Sequence, residues 1–243
     1  MKRISEYRDY QELLIDLKKK YGIPEYPYFW DDRTYTPESR IKRGKEGLYL
    51  HHDKEDTYPQ LSVARVNILN NYPFECHLPK NLTYANALEH LMLHILITLK
   101  DEGKGYPEVG INGLMIYMLP QINTYLAKSY QFKKEWLRKA MSIFDDEDTK
   151  EEYYRCLEYF LENYHGHRTE DHNFILRVLS PDFLVDNNME LFYAYNEPVY
   201  QRFKKYRKRE CFWLILYLLS VPPHHEAAHG GFFDKCNKEE DEN

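Results

Sequence analysis

Cysteine is scarce in this 243-residue chain: the four present, Cys76, Cys156, Cys211 and Cys236, are scattered and form no CxxC pair. That spacing excludes a disulfide framework and a cysteine zinc ribbon, and it suits a reducing cytoplasm. Long apolar runs are missing too. The longest near the end, Cys211 to Val221, is too short to span a bilayer and reads as a buried helix, so no membrane partner is expected. The first residues, Met1 to Tyr7, lack the apolar stretch and small-residue cleavage site of a secretory signal, which again places the expected setting in the cytoplasm. Positive charge is not in excess, with 33 Lys and Arg against 39 Asp and Glu and a formal net charge of -6. A surface that is a nucleic-acid footprint throughout is thereby excluded; contact with a polyanion has to come from local basic patches or from a metal. There is also no internal repeat and no low-complexity linker, which rules out a solenoid.

What is present argues for a folded chain. Hydrophobic residues are 43% and aromatics 16%, with 23 Tyr, and a disordered chain carrying 30% charged residues would lack those aromatics. The length allows one good-sized core or two small domains. Eleven His are a further conspicuous count.

Residues 5–21 read as a helix capped by Ser5, with Leu13, Leu14 and Leu17 on one face and Gly22 and Pro24 stopping it. From Tyr26 to Gly47 there is no helical or strand period, and the segment reads as loop. Gly47 to His52 has the character of a short strand, followed by a long polar connection reaching Lys80. A second strand is expected over Asn81 to Tyr84. Asn86 and Glu89 then have the spacing of a capping box, opening a helix from Ala87 to Lys100 that is apolar on nearly every side. Asp101 to Gly105 is the clearest break. Beyond it the pattern predicts helices around Asn112 to Leu119, from Gln121 to Ala140 with one break, from Lys150 to Tyr164 behind a Thr149/Glu152 capping box, and from Pro198 to Leu219. An acidic tail, Asn237 to Asn243, is expected to be solvated. The fold class is α+β, predominantly α-helical, with residues 1–100 as one module and 101–243 as a helical region for recognition or assembly, packed with the first as one domain or standing apart.

The segment from 51 to 94 concentrates chemistry. His90 and His94 stand at i, i+4 on one helix face, the spacing at which two imidazoles reach one metal ion. A strand ending in His51-His52 offers a third imidazole and turns its neighbour the other way, because adjacent strand residues face opposite sides. Such an arrangement separates a ligand from a base. The pattern His51-His52-Asp53-Lys54, Asn81, His90, His94 resembles the ββα-metal motif of HNH (His-Me finger) endonucleases, and is similar in particular to the nuclease domains of DNA-cleaving colicins. The connection between His52 and Asn81 is longer than theirs, and loops in that place tolerate insertion. The resemblance covers about residues 40 to 100 and implies a small ββα-metal finger. It further implies that His51, His90 and His94 hold one divalent ion, that His52 is the general base for an attacking water, and that Asn81 holds the two strands together. DNA would be the substrate, with 5′-phosphate and 3′-hydroxyl products. Three imidazoles favour zinc, nickel or manganese for affinity, with magnesium as the alternative working ion. A metal-stabilised nucleic-acid-binding protein without turnover is the competing expectation.

Local basic patches have to offset the acidic total. Arg40, Lys42, Arg43 and Lys45 precede the first strand, where they could meet phosphates. A second group, Arg202, Lys204, Lys205, Arg207, Lys208 and Arg209, cannot share one face of a helix and reads equally as a solvated surface. His225-Glu226-Ala227-Ala228-His229 has the form of a zinc-protease motif, but Pro222-Pro223 before it and Gly230-Gly231 after it argue against the helix that motif needs. His165, His167 and His172 read as solvated loop residues. A restriction or anti-phage defence nuclease is the expected role, and a homodimer would be the simple route to a double-strand break.

Overall fold

The computed structural model describes residues 2–101, 109–126, 132–164 and 201–206. The His225 to His229 motif, the His165 to His172 group, the acidic tail, most of the helix expected from Pro198 and the basic residues 207–209 lie outside them. The described residues are mostly helical with one small antiparallel sheet.

The first helix, α1 (Tyr10–Tyr21), starts later than the sequence suggests. Asp9 caps it by accepting the backbone N–H of Glu12 at 2.9 Å, while Ser5 lies in a separate 3-10 turn, Ile4–Glu6. An Asp at that position both satisfies an orphan amide and complements the positive helix end. Leu13, Leu14 and Leu17 are buried as a single face, and Gly22 ends the helix at φ 81°. The loop expected from Tyr26 onward holds two 3-10 turns and one isolated antiparallel bridge, Phe29 with Pro37.

Strand β1 (Tyr49–His52) pairs antiparallel with β2 (Leu82–Ala85), Tyr49 opposite Ala85 and His52 opposite Leu82. Asn81 ends a 3-10 turn just before β2 rather than opening it. The chain between the strands is not a bare polar connection. It contains α2 (Ala64–Asn70), which ends on Asn71 in the left-handed conformation, and two 3-10 turns.

Helix α3 (Ala87–Asp101) follows β2 at once, and its capping box is formed in both directions: Glu89 N–H donates to Asn86 Oδ1 and Asn86 N–H to Glu89 Oε2, each at 2.9 Å. Its residues Leu91, Met92, Leu93, Ile95 and Ile97 are all fully buried, as an all-round apolar helix requires. A π-helical turn (Gly113–Met118) runs into α4 (Leu119–Leu126), and α5 (Glu135–Met141) and α6 (Glu147–Asn163) follow. Helix α6 begins earlier than Lys150. Asp146 is its cap, accepting from the backbone N–H of Thr149 at 2.8 Å, so Thr149 sits inside the first turn instead of capping it. One apolar cluster unites α1, α3, the π turn, α4, α5 and α6, with Tyr153, Leu157 and Phe160 of α6 at full burial. Cys76 and Cys156 are buried free thiols. Among the described residues no helix is long and apolar enough to cross a membrane.

Candidate metal centre

The ββα unit brings three imidazoles to one point. Residues of β1 alternate between its faces, so Tyr49 and His51 turn toward α3 while His52 turns away. On α3, His90 and His94 are one turn apart. One ring nitrogen from each of His51, His90 and His94 lies within 4.8 Å of the other two, and all three residues are buried, at 1%, 7% and 4% exposure. The ring centroids are 5.2 Å apart for His51 and His90, 5.5 Å for His51 and His94, and 4.7 Å for His90 and His94.

Electrostatics fix the protonation state. Burial pushes His51 and His90 well below the ordinary imidazole range, neighbouring histidines adding to the effect, and burial alone lowers His94 to about 4. Three neutral imidazoles are what a borderline divalent ion requires. The Nδ1 atoms of all three are buried and have no hydrogen-bond partner among the described residues. Buried polar atoms are rarely left this way, because each costs about 1–3 kcal/mol. Three unpartnered nitrogens on a cluster of rings that can present one ligand atom each to a common point fit an ion.

The surroundings orient the rings. Tyr10 Oη is 2.7 Å from Nε2 of His51 and donates to the backbone carbonyl of His52 at 3.4 Å. The Tyr10 hydroxyl thus bridges the His51 ring and the backbone of the next residue, the pattern of an outer partner that orients an imidazole. Tyr49 lays its ring 4.9 Å from that of His90 and holds its hydroxyl 2.9 Å from Gln121 Oε1. Gly113, at the start of the π turn, packs against the imidazole of His94 so closely that a Cβ there would overlap the ring. Gly110, at φ 91°, likewise passes close over Ile97 and the backbone of His94. Only glycine allows this segment to lie on the site.

The second pole of the unit is built differently. His52 Nε2 is 3.1 Å from Nδ1 of His77, and His77 Nε2 is 3.1 Å from Oδ1 of Asn67. Asn67 donates from Nδ2 to the carbonyls of Leu61 and Val63, both at 2.8 Å, which settles its amide orientation. The hydrogens then follow in order. Asn67 Oδ1 can only accept, so His77 donates from Nε2. His77, lowered to about 4 by burial, is neutral, and its Nδ1 accepts from His52 Nε2–H. His52 is also held neutral by burial, and its lone pair is therefore on Nδ1. Tyr28 covers His52 at a ring distance of 4.5 Å, and Phe29 packs on His77 at 4.8 Å. His77 and Asn67 were not legible as functional from the sequence; a His and an Asn in a polar connection carry no spacing signal.

Asn81 ties the end of the ladder. Its carbonyl accepts the N–H of Asp53 at 2.9 Å, and its side chain donates to the carbonyl of Glu75 at 2.8 Å, so it links the end of β1 to the turn that carries His77. Asp53 is buried, accepts from Thr83 Oγ1 at 2.6 Å and pairs with Lys18. Of the four basic residues before β1, two are already engaged. Arg40 forks onto the buried carboxylate of Glu38 and stacks over Tyr26 and Trp30, while Arg43 pairs with Glu46 and reaches the carbonyl of Tyr21. Lys42 and Lys45 are exposed and make no ion pair among the described residues. Arg202, from the second basic group, is spent on Glu151 and Glu158 of α6.

Compared with protein-family models, curated proteins and solved structures, the chain matches none of them.

Proposed function

We propose that this chain is a metal-dependent endonuclease of the HNH type that hydrolyses DNA phosphodiester bonds, acting in restriction or anti-phage defence. The observation that carries the reading is the convergence of His51, His90 and His94 from a β-hairpin strand and the following helix, with their Nδ1 atoms buried and unpartnered. These residues would hold one divalent ion, whether magnesium, manganese, zinc or nickel. When bound, such an ion supplies Lewis-acid stabilisation of the phosphoryl oxygens.

The chain's own residues do the rest. His52 is the general base and takes the proton of the attacking water at Nδ1, since Nε2–H is committed to His77. The His77–Asn67 pair keeps that tautomer and stabilises the imidazolium that forms. Asn81 fixes the turn bearing His77 against the end of β1. Lys42 and Lys45 are the basic residues of the first group left for phosphate contacts. A plasmid-nicking assay with magnesium, manganese or EDTA tests the reading. His52→Ala should lose cleavage while keeping metal binding, and undiminished cleavage by that variant would remove His52 as base.

A second reading, a metal-stabilised nucleic-acid-binding protein without turnover, is favoured by one observation: the three imidazoles are almost fully buried, with Gly113 packed on His94. Structural metal sites are closed, whereas catalytic ones keep a position open. A protein that shifts DNA in a gel but nicks it in no metal would establish this second reading.

A further inference from the structure

The segment from Tyr28 to Glu38 is pinned against the His52–His77 pair. Tyr28 N–H donates to the carbonyl of His77 at 2.8 Å and its ring covers His52, while Phe29 packs on His77 and bridges Pro37. Trp30 N–H donates to the carbonyl of Thr36 and Glu38 N–H to that of Tyr28, each at 2.9 Å, so the backbone that carries Trp30 is fixed. Its side chain is nevertheless in water. Among the described residues six large apolar side chains are exposed, and Trp30, at 54%, is the one aromatic. Trp is highly buried on average, so a half-exposed indole on a fixed backbone is a feature that packing leaves unexplained.

Its setting has the chemistry of a base-stacking platform. The Arg40 guanidinium lies 4.5 Å from the Trp30 ring and 3.8 Å from that of Tyr26. Nε and Nη2 of Arg40 are committed to the buried carboxylate of Glu38, so Arg40 keeps its place without help from Trp30. A flat cation beside an exposed indole is the pairing that holds nucleobases by their faces. Lys42, two residues beyond Arg40, is exposed and supplies a charge for the accompanying phosphates. The place suits the chemistry too. Trp30 is two residues from the ring that covers His52, no more than about 7 Å along the backbone. We propose that Trp30, backed by Arg40, stacks on an unpaired nucleobase of the DNA strand within a few nucleotides of the bond that is cut. This rests on the DNA-nuclease reading and adds the form of the substrate: single-stranded or frayed DNA, since a base inside a duplex has both faces covered by its neighbours.

The full-length protein, as purified and with no metal added, is titrated against three fluorescein-labelled DNAs, following anisotropy: a single strand, its duplex, and the same single strand with abasic sites at its centre. A gel afterwards checks that they are intact. Wild type should bind the intact single strand more tightly than the abasic strand or the duplex. Trp30→Ala should weaken binding to the intact single strand about 5- to 150-fold, the usual weight of one stacked base, and leave the abasic strand within about twofold of wild type. Trp30→Phe, which keeps a ring, should recover most of the loss. Equal losses on the intact and abasic strands, or no loss on either, would overturn the proposal, and equal losses with a lower melting temperature would identify Trp30 as a packing residue only. Lys42→Ala, which removes charge and no ring, should weaken both single strands alike. If wild type binds DNA in none of the three forms, the nuclease reading fails first and the platform with it. If wild type nicks plasmid in a metal-dependent way and Trp30→Ala binds the intact single strand as wild type does, the platform alone fails.

Discussion

Two histidine clusters lie on opposite faces of the same four-residue strand, and they differ in how their nitrogens are used. Toward α3, His51, His90 and His94 bury three Nδ1 atoms with no partner. On the other face, His52, His77 and Asn67 form a chain in which each ring nitrogen facing inward has a partner at 3.1 Å. Both clusters are buried, and burial lowers the imidazoles of both. Residue type, depth and charge state are therefore shared, and hydrogen-bond completeness separates them. A completed network stabilises its own geometry. An incomplete one, retained in a packed interior, leaves nitrogens that could hold a metal ion.

The largest effect that would break this contrast is on metal binding and cleavage. His94→Ala should abolish stoichiometric binding of a divalent ion, read by calorimetric titration, whereas His77→Phe should leave it intact. If both variants bind alike, the two clusters are not distinct in function. For cleavage, His52→Ala is expected to slow nicking by about 10²–10⁴-fold, the usual weight of a general base, with the metal affinity of wild type.

A smaller effect tests the close packing over His94. Gly113→Ala places a methyl carbon in the ring's space and should cost roughly 1–3 kcal/mol in denaturant unfolding, with weakened metal binding. The completed cluster should respond in stability alone. Asn67→Leu leaves the His77 Nε2–H buried without an acceptor and is expected to cost about 1–3 kcal/mol, with metal affinity unchanged. The smallest test is pH. His77 titrates near 6.5 when unfolded and at about 4 when folded, so the unfolded chain binds more protons between those values. The stability of the metal-free protein is then fully present above about 6.5 and declines as the pH falls toward 4. Urea midpoints at pH 7 and pH 5 measure it, and His77→Phe should reduce the difference by the share of one histidine, since His51, His52, His90 and His94 are lowered by burial as well.

The ββα unit was largely legible in the sequence because its signals are local. The capping box of Asn86 and Glu89, the all-round apolar helix and the i, i+4 His pair each announce themselves within a few residues, and the structure places all three as expected. The two helix starts that the sequence misplaced show the limit of the same logic. Ser5 and Thr149 are competent caps, but Asp9 and Asp146 lie where the helical backbone begins, and the cap is chosen by that position. Helix α2 was missed for a stronger reason. It buries Asn67 and leaves Ile68 and Leu69 at 50% and 67% exposure, the reverse of the pattern by which a helix is recognised. The His52–His77–Asn67 chain depends on that inverted helix, so it could not be seen before the fold was known.

Helix α1 gives the module a boundary that the motif does not. Tyr10 touches His51, Lys18 pairs with Asp53 and donates to the carbonyl of Lys80 at 2.5 Å, and Lys20 and Tyr21 reach Glu89 at 2.6 and 2.8 Å. One face of a single helix thus grips both strands and the start of α3. A fragment cut to the motif alone, beginning near residue 40, would lose every one of these clasps and expose Leu13's counterpart surface on the sheet and α3. The smallest transplantable unit consequently begins at Asp9, the cap that starts the clasping helix, and any graft, fusion or chimera of the histidine site has to carry that helix with it.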